Sequence, residues 1–279
     1  MNTRRVKEMT ITKYDLWEKT PLGGEYDPYI LHYQPDEVKT DAAVYLVPGS
    51  GYVNNPAIPT QEGDSVAKYL VEQGITVFIC IYRVGKDGCY PRPTLDGRRG
   101  MRWVRYNAEK FGIDPKKIIS LGYSAGGHLC ASLVSFHDKL EGEGVDAIDE
   151  LDYVPDYQAL CYPVISFDID KKYTHKGSVW HLLGEEYKAL IPAMCFENTA
   201  VAPVPPTFLF HNFDDASVGV ENLLLYATRL RELGVPVEMH VYPHGGHGVG
   251  INRDDSAANR HNGDWVVRFV TWVKYNGLL

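Results

Sequence analysis

The sequence predicts an α/β fold: a mostly parallel central sheet with helices on both faces and one inserted, lid-like segment. Three observations lead to it. Short runs rich in β-branched and aromatic residues alternate with helical patterns along the 279 residues, the rhythm of βαβ units. Several runs, 42–47 and 75–82 among them, are apolar without alternation, as suits strands covered on both faces. Finally, Gly122-Tyr123-Ser124-Ala125-Gly126 joins the apolar run 118–121 to a helix-like run at 127–134, so strand, tight turn and helix follow directly.

Taken in order, extended segments are expected at 9–16 and 29–33. The run 42–47 then ends in Pro48-Gly49-Ser50-Gly51-Tyr52. A helix over 63–73 is closed by Gly74 as a C-cap and followed by the buried strand 75–82. The longest helical pattern, 94–111, stops at Gly112; 117–121 is the strand before the tight turn, and 158–162 is a short apolar strand. Strands at 206–211 and 237–242 flank a helix over 220–233. The last helix runs from about 263 to 275, with Trp265, Phe269 and Trp272 at helical spacing as packing residues.

Residues 163–205 break the alternation. The stretch is long, carries several prolines, and mixes charge with Phe167, Tyr173, Trp180, Tyr187 and Phe196. A connection of that length is usually functional or an insertion, and its place suits a lid over an active site. With no repeats and no linker composition, 1–279 reads as a single domain with 163–205 inserted.

Composition narrows the function classes. At 44% hydrophobic and 23% charged the chain is ordinary globular material, and its net charge of −8 argues against a nucleic-acid partner. The one basic cluster, Arg98, Arg99, Arg102 and Arg105, reads as a solvated or ion-paired helix face. The first residues carry charges with no apolar stretch behind them, so a secretory signal is not expected, and no run approaches a membrane span. The five cysteines are odd in number and scattered. Cys80, Cys130 and Cys161 sit in apolar patterns, so a disulfide framework is not expected and a reducing cytoplasm is.

The turn at 122–126 is a nucleophile elbow, which pushes a serine hydroxyl out at the sheet edge with the next backbone N–H aimed at the same place. A serine hydroxyl needs a base, normally a histidine oriented by a buried carboxylate. Downstream, the strand ending at His211 is followed by Asn212-Phe213-Asp214-Asp215-Ala216-Ser217-Val218. The apolar Val218 beyond the pair selects Asp215 as the acid and leaves Asp214 as a loop or capping residue. Tyr242-Pro243-His244-Gly245-Gly246-His247-Gly248 follows the next strand. His247, between glycines, has the freedom to reach Ser124, while His244 braces the loop. The two histidines lack further ligands at metal-site spacing, so a metal is not expected. Ala125 N–H supplies one oxyanion donor, and Gly49, Ser50 and Gly51 are candidates for the other.

These segments together resemble the α/β-hydrolase esterases of the acetyl xylan esterase and bacterial feruloyl esterase-like (BD-FAE-like) group. The match is carried by Pro48–Tyr52, Tyr82-Arg83, Tyr90-Pro91-Arg92-Pro93 with Asp96, Trp103, Gly112-Ile113-Asp114-Pro115, Gly122–His128, Tyr162-Pro163-Val164, Asp214-Asp215 and His244–Gly248. The resemblance implies a cofactor-free serine esterase with Ser124, Asp215 and His247 as its triad, acting on small carboxylic esters, above all acetyl groups on sugars or oligosaccharides. Tyr52, Tyr123 and Trp180 are candidates to stack on a sugar or wall an acyl pocket. Ser50 stands where the group usually has glycine, which bears on the oxyanion loop. Gly219 stands for a usual proline, a change expected to loosen the acid loop. A carboxylesterase or lipase of hydrophobic or feruloyl-type esters is the alternative reading, with a peptidase or a non-catalytic binding protein behind it. Oligomeric state is left open; a homodimer is compatible with the resemblance.

Overall fold

The computed structural model describes residues 10–24, 26–53, 61–85, 89–251 and 261–279. Eight strands form one sheet in the order β1-β2-β4-β3-β5-β6-β7-β8. They are β1 (Thr10–Asp15), β2 (Tyr29–Gln34), β3 (Ala43–Val47), β4 (Thr76–Ile81), β5 (Ile118–Tyr123), β6 (Tyr157–Cys161), β7 (Thr207–Asn212) and β8 (Val237–Tyr242). β1 pairs β2 and β2 pairs β4 antiparallel; every later pairing is parallel. The mostly parallel sheet read from the sequence is the one observed.

Helices cover both faces: α1 (Asp64–Glu72), α2 (Arg92–Tyr106), α3 (Ala108–Phe111), α4 (Ser124–Ser135), α5 (Lys176–Leu183), α6 (Phe196–Thr199), α7 (Glu221–Glu232) and α8 (Trp265–Tyr275). Side chains alternate across a strand, so β3 splits its residues between two cores. Ala43, Tyr45 and Val47 pack with α2 and α4, whereas Val44 and Leu46 pack with α1 and α8. Full burial of all five explains why this strand is apolar without alternation.

The long pattern 94–111 is two helices. α2 begins earlier than expected, with Pro93 in its first turn where a missing N–H costs nothing. It ends at Asn107, and the short α3 stops at Gly112, whose φ of +67° suits glycine. The arginine face is ion-paired but not solvated. Arg98, Arg99 and Arg102 are buried and bound to Glu143, Asp146 and Asp149. Arg83 and Asp96 form a fully buried bidentate pair that ties the end of β4 to α2. Among the described residues no helix is long and apolar enough to cross a membrane.

Candidate active site

Because β3 and β5 to β8 run parallel, their carboxyl ends meet at one edge of the sheet, and the loops leaving them converge there. β5 turns into α4 at Ser124, whose φ of +52° is the strained backbone of a nucleophile elbow. The flanking glycines are dictated by close approach. A Cβ on Gly122 would lie 2.5 Å from the Gly126 carbonyl oxygen, and one on Gly126 would lie 2.2 Å from that of Val47. Helix α4 therefore presses directly on the end of β3.

The loops after β7 and β8 bring Asp215 and His247 to this serine. His247 Nδ1 lies 2.7 Å from Asp215 Oδ2, and His247 Nε2 lies 2.8 Å from Ser124 Oγ. A carboxylate only accepts, so the ring proton sits on Nδ1. Nε2 is then free to accept the serine proton. Asp215 takes further hydrogen bonds from the Ser217 and Val218 N–H groups. Burial works to raise its pKa, but His211, His247 and the Val218 N–H outweigh that and hold it well below the usual carboxylate range. Asp214 faces away from Ser124: it accepts from Gly246 N–H and lies 3.4 Å from exposed His244, bracing the histidine loop.

In the loop after β3, the candidate oxyanion donors separate. Gly49 N–H donates to Glu62 Oε2 at 2.8 Å, so it does not face a substrate. The N–H groups of Ser50 and Ala125 take no acceptor among the described residues. The Ser50 side chain folds back into its own loop. Tyr82 O–H donates to the Pro48 carbonyl, so Ser50 Oγ–H donates to Tyr82 Oη, and Ser50 Oγ accepts Tyr52 N–H. A serine in place of glycine thus stiffens the loop and leaves its own N–H clear. Gly51, with φ +60°, turns its carbonyl outward to His181 Nδ1 at 2.8 Å.

Two of the three expected substrate contacts are not at the surface. Tyr52 is 0% exposed, its hydroxyl donating to His128 Nδ1. Tyr123, also 0% exposed, points to the opposite sheet face, where it packs on Tyr162 and Trp265. The period-two alternation of β5 decides this, because Ser124 starts the helix while Tyr123 is still strand. Trp180 is 36% exposed on α5. The 163–205 stretch does lie against the site. Ser124 C=O accepts Val164 N–H, α5 reaches Gly51 through His181, and Tyr173 C=O accepts Gly219 N–H at 3.1 Å. That last bond needs the N–H a proline would lack, so Gly219 fastens the acid loop instead of loosening it.

The sequence reading missed several residues of this site. Glu62 stands beside the oxyanion loop, and Tyr162 sets its ring edge against His247 with centroids 5.0 Å apart. His211 lies 3.3 Å from Asp215 and donates from Nε2 to the Val218 carbonyl at 2.9 Å. His175 caps α5. Its Nδ1 accepts Ser178 N–H and O–H, which places the ring proton on Nε2, and its Cε1 faces Gly51. Tyr162 stood in a segment that carries the resemblance but had no role assigned, and the others had no motif around them. Glu62 lies just before the helix expected over 63–73 with no local pattern to single it out, and His211 read as the last residue of a strand.

Comparison with known proteins agrees with this architecture. The BD-FAE family model matches residues 31–230. The chain is 32% identical over 260 residues to endo-1,4-beta-xylanase B of Butyrivibrio fibrisolvens, covering 90% of this chain and 40% of that protein. It is 32% identical over 242 residues to the acetylxylan esterase of Xylanibacter ruminicola, covering 85% and 43%. The chain thus spans about two fifths of the length of these relatives. The crystal structure of an acetyl ester-xyloside bifunctional hydrolase from Caldicellulosiruptor lactoaceticus superposes with a TM-score of 0.84 at 35% identity, over 96% of this chain and 97% of that one. An elbow serine at the edge of a mostly parallel sheet, together with these matches, places the chain in the BD-FAE family of α/β-hydrolase-fold esterases.

Proposed function

We propose that this protein is a serine esterase that hydrolyses small carboxylic esters through an acyl-enzyme, with acetyl groups on sugars or oligosaccharides as its substrates. The observation that carries the reading is the hydrogen-bonded chain Ser124–His247–Asp215, with links of 2.8 and 2.7 Å. In the first step His247 Nε2 takes the Ser124 proton as Oγ attacks the ester carbonyl. Ser50 and Ala125 N–H groups receive the oxyanion, and ionised Asp215 holds the imidazolium. The proton on Nε2 then passes to the departing alcohol. Water, activated by the same nitrogen, attacks the acyl-serine and releases the acid.

The acetyl preference is supported by the named activities of the acetylxylan esterase and acetyl ester-xyloside hydrolase relatives. The alcohol side would meet α5, where His175 Nε2–H and Trp180 offer a donor and an aromatic face to a sugar. Replacing Ser124 by alanine is expected to remove turnover of acetylated xylo-oligosaccharides and labelling by an organophosphonate, with the thermal melt retained. Comparing acetylated xylo-oligosaccharides with long-chain esters, feruloyl esters and p-nitrophenyl xyloside tests the substrate class. A preference for long acyl chains would overturn it.

A further inference from the structure

Glu62 bonds to the oxyanion loop directly and reaches the histidine loop through Tyr162. Its Oε2 accepts Gly49 N–H at 2.8 Å, and its Oε1 accepts Tyr162 O–H at 2.9 Å. Tyr162 Oη in turn accepts Gly250 N–H at 3.0 Å, and the Tyr162 ring rests edge-on against His247. The backbone is equally tight: Ile251 N–H donates to the Gln61 carbonyl, and a Cβ on Gly250 would lie 2.4 Å from that oxygen. A Cβ on Gly49 would lie 2.7 Å from Glu62 Oε2 and 2.9 Å from Ser124 Cβ, so the carboxylate and the nucleophile flank the same small space. Gly49 N–H can only donate and Tyr162 O–H donates here, which suits a carboxylate; a protonated acid would have to turn the Tyr162 O–H away to use Oη as its acceptor.

We infer that Glu62 is a positioning residue of this site: its carboxylate locks the oxyanion loop to the histidine loop, so that Ser50 N–H is the donor left for the substrate, and its charge supports the imidazolium forming on His247. The inference rests on the triad reading above. It explains why a half-buried carboxylate is kept at this junction. Burial raises the Glu62 pKa, against the lowering effects of Tyr162 O–H, Gly49 N–H and His247. Among the described residues the other titratable groups that interact with it are Tyr82, Tyr123, Cys161 and Tyr162, all pushed up by burial and so neutral, while Asp215 and His175 face His247 from the acid loop and the start of α5. His247 is the group there that gains positive charge during turnover.

The test is kcat, KM and the pH profile on p-nitrophenyl acetate for wild type, Glu62→Gln and Tyr162→Phe, with the rate of Ser124 labelling by an organophosphonate. Glu62→Gln is expected to lower kcat about tenfold to a hundredfold and change KM by less than about threefold. It should move the acidic limb of kcat/KM to lower pH, because the negative charge beside the imidazole is gone. Tyr162→Phe keeps that charge and removes one hydrogen bond, so a loss of roughly threefold to tenfold is expected with the limb unmoved. A Glu62→Gln enzyme with wild-type kcat, or one that is slower with an unmoved acidic limb, overturns the inference. Should Glu62→Gln fail to fold, wild-type kcat in Tyr162→Phe overturns it instead. A wild-type enzyme that neither turns over nor labels at Ser124 rejects the triad reading. Equal labelling rates for wild type and Glu62→Gln reject this inference alone.

Discussion

At the scale of single residues, the site works by fixing the orientation of its acid and its base with defined hydrogen-bond partners. Asp215 is held by the Ser217 and Val218 N–H groups on one oxygen and by His247 on the other, with His211 alongside. Replacing it with asparagine would offer an amide N–H or a weaker acceptor to the His247 ring and favour the wrong tautomer. Asp215→Asn is expected to lower kcat by about 10⁴ with the fold intact, as steady-state kinetics and circular dichroism would report. A loss under tenfold would count against Asp215 as the orienting acid. The neighbouring Asp214 gives the contrast: it binds the backbone of the histidine loop, so its loss should affect the loop more than the chemistry.

At the scale of elements, the elbow is held by backbone contact more than by side chains. Gly126 lies in the first turn of α4 against the carbonyls of Val47 and Pro48, the residues that lead into the oxyanion loop. A methyl there would push α4 from β3 and part the Ala125 and Ser50 N–H groups. Gly126→Ala is expected to cost about 3 kcal/mol of stability and most of the activity, read from denaturant melts and kcat. Wild-type values for both would show that the contact yields easily. The arginine face of α2 makes the same point about context. Buried against Glu143, Asp146 and Asp149, Arg98, Arg99 and Arg102 fasten α2 to the segment after α4, where isolated surface pairs would contribute little.

At the scale of the whole molecule, the core beneath the site carries a buried histidine that couples stability to pH. His128, in α4, stacks between Phe167 and Phe196, accepts Tyr52 O–H on Nδ1 and lies 3.3 Å from the Met194 carbonyl. Burial lowers its pKa from 6.5 to about 3, against a smaller opposing effect of the Met194 carbonyl. The folded protein therefore excludes a proton that the unfolded chain binds. The contribution of neutral His128 is complete above the ordinary histidine value and is lost as pH falls from there toward 3. Between pH 6.5 and 5 this amounts to roughly 2 kcal/mol. Denaturant melts of wild type and His128→Gln across that range should show a steeper loss in wild type; parallel curves would refute the linkage.

The sequence by itself determined the sheet, its mostly parallel character and the order of the elements, because apolar runs and glycine stops are local consequences of burial and backbone freedom. It also placed Ser124, Asp215 and His247 after strand ends in that chain order, since order and strand ends are written in one dimension. Tertiary structure decided the rest. It gave Gly49 N–H to Glu62, turned Tyr52 inward onto His128, made Gly219 a fastening, and set Tyr162 beside His247. Each of those facts is a meeting of residues far apart in the chain. Hydrogen-bond partnership and burial belong to such meetings, and no local pattern carries them.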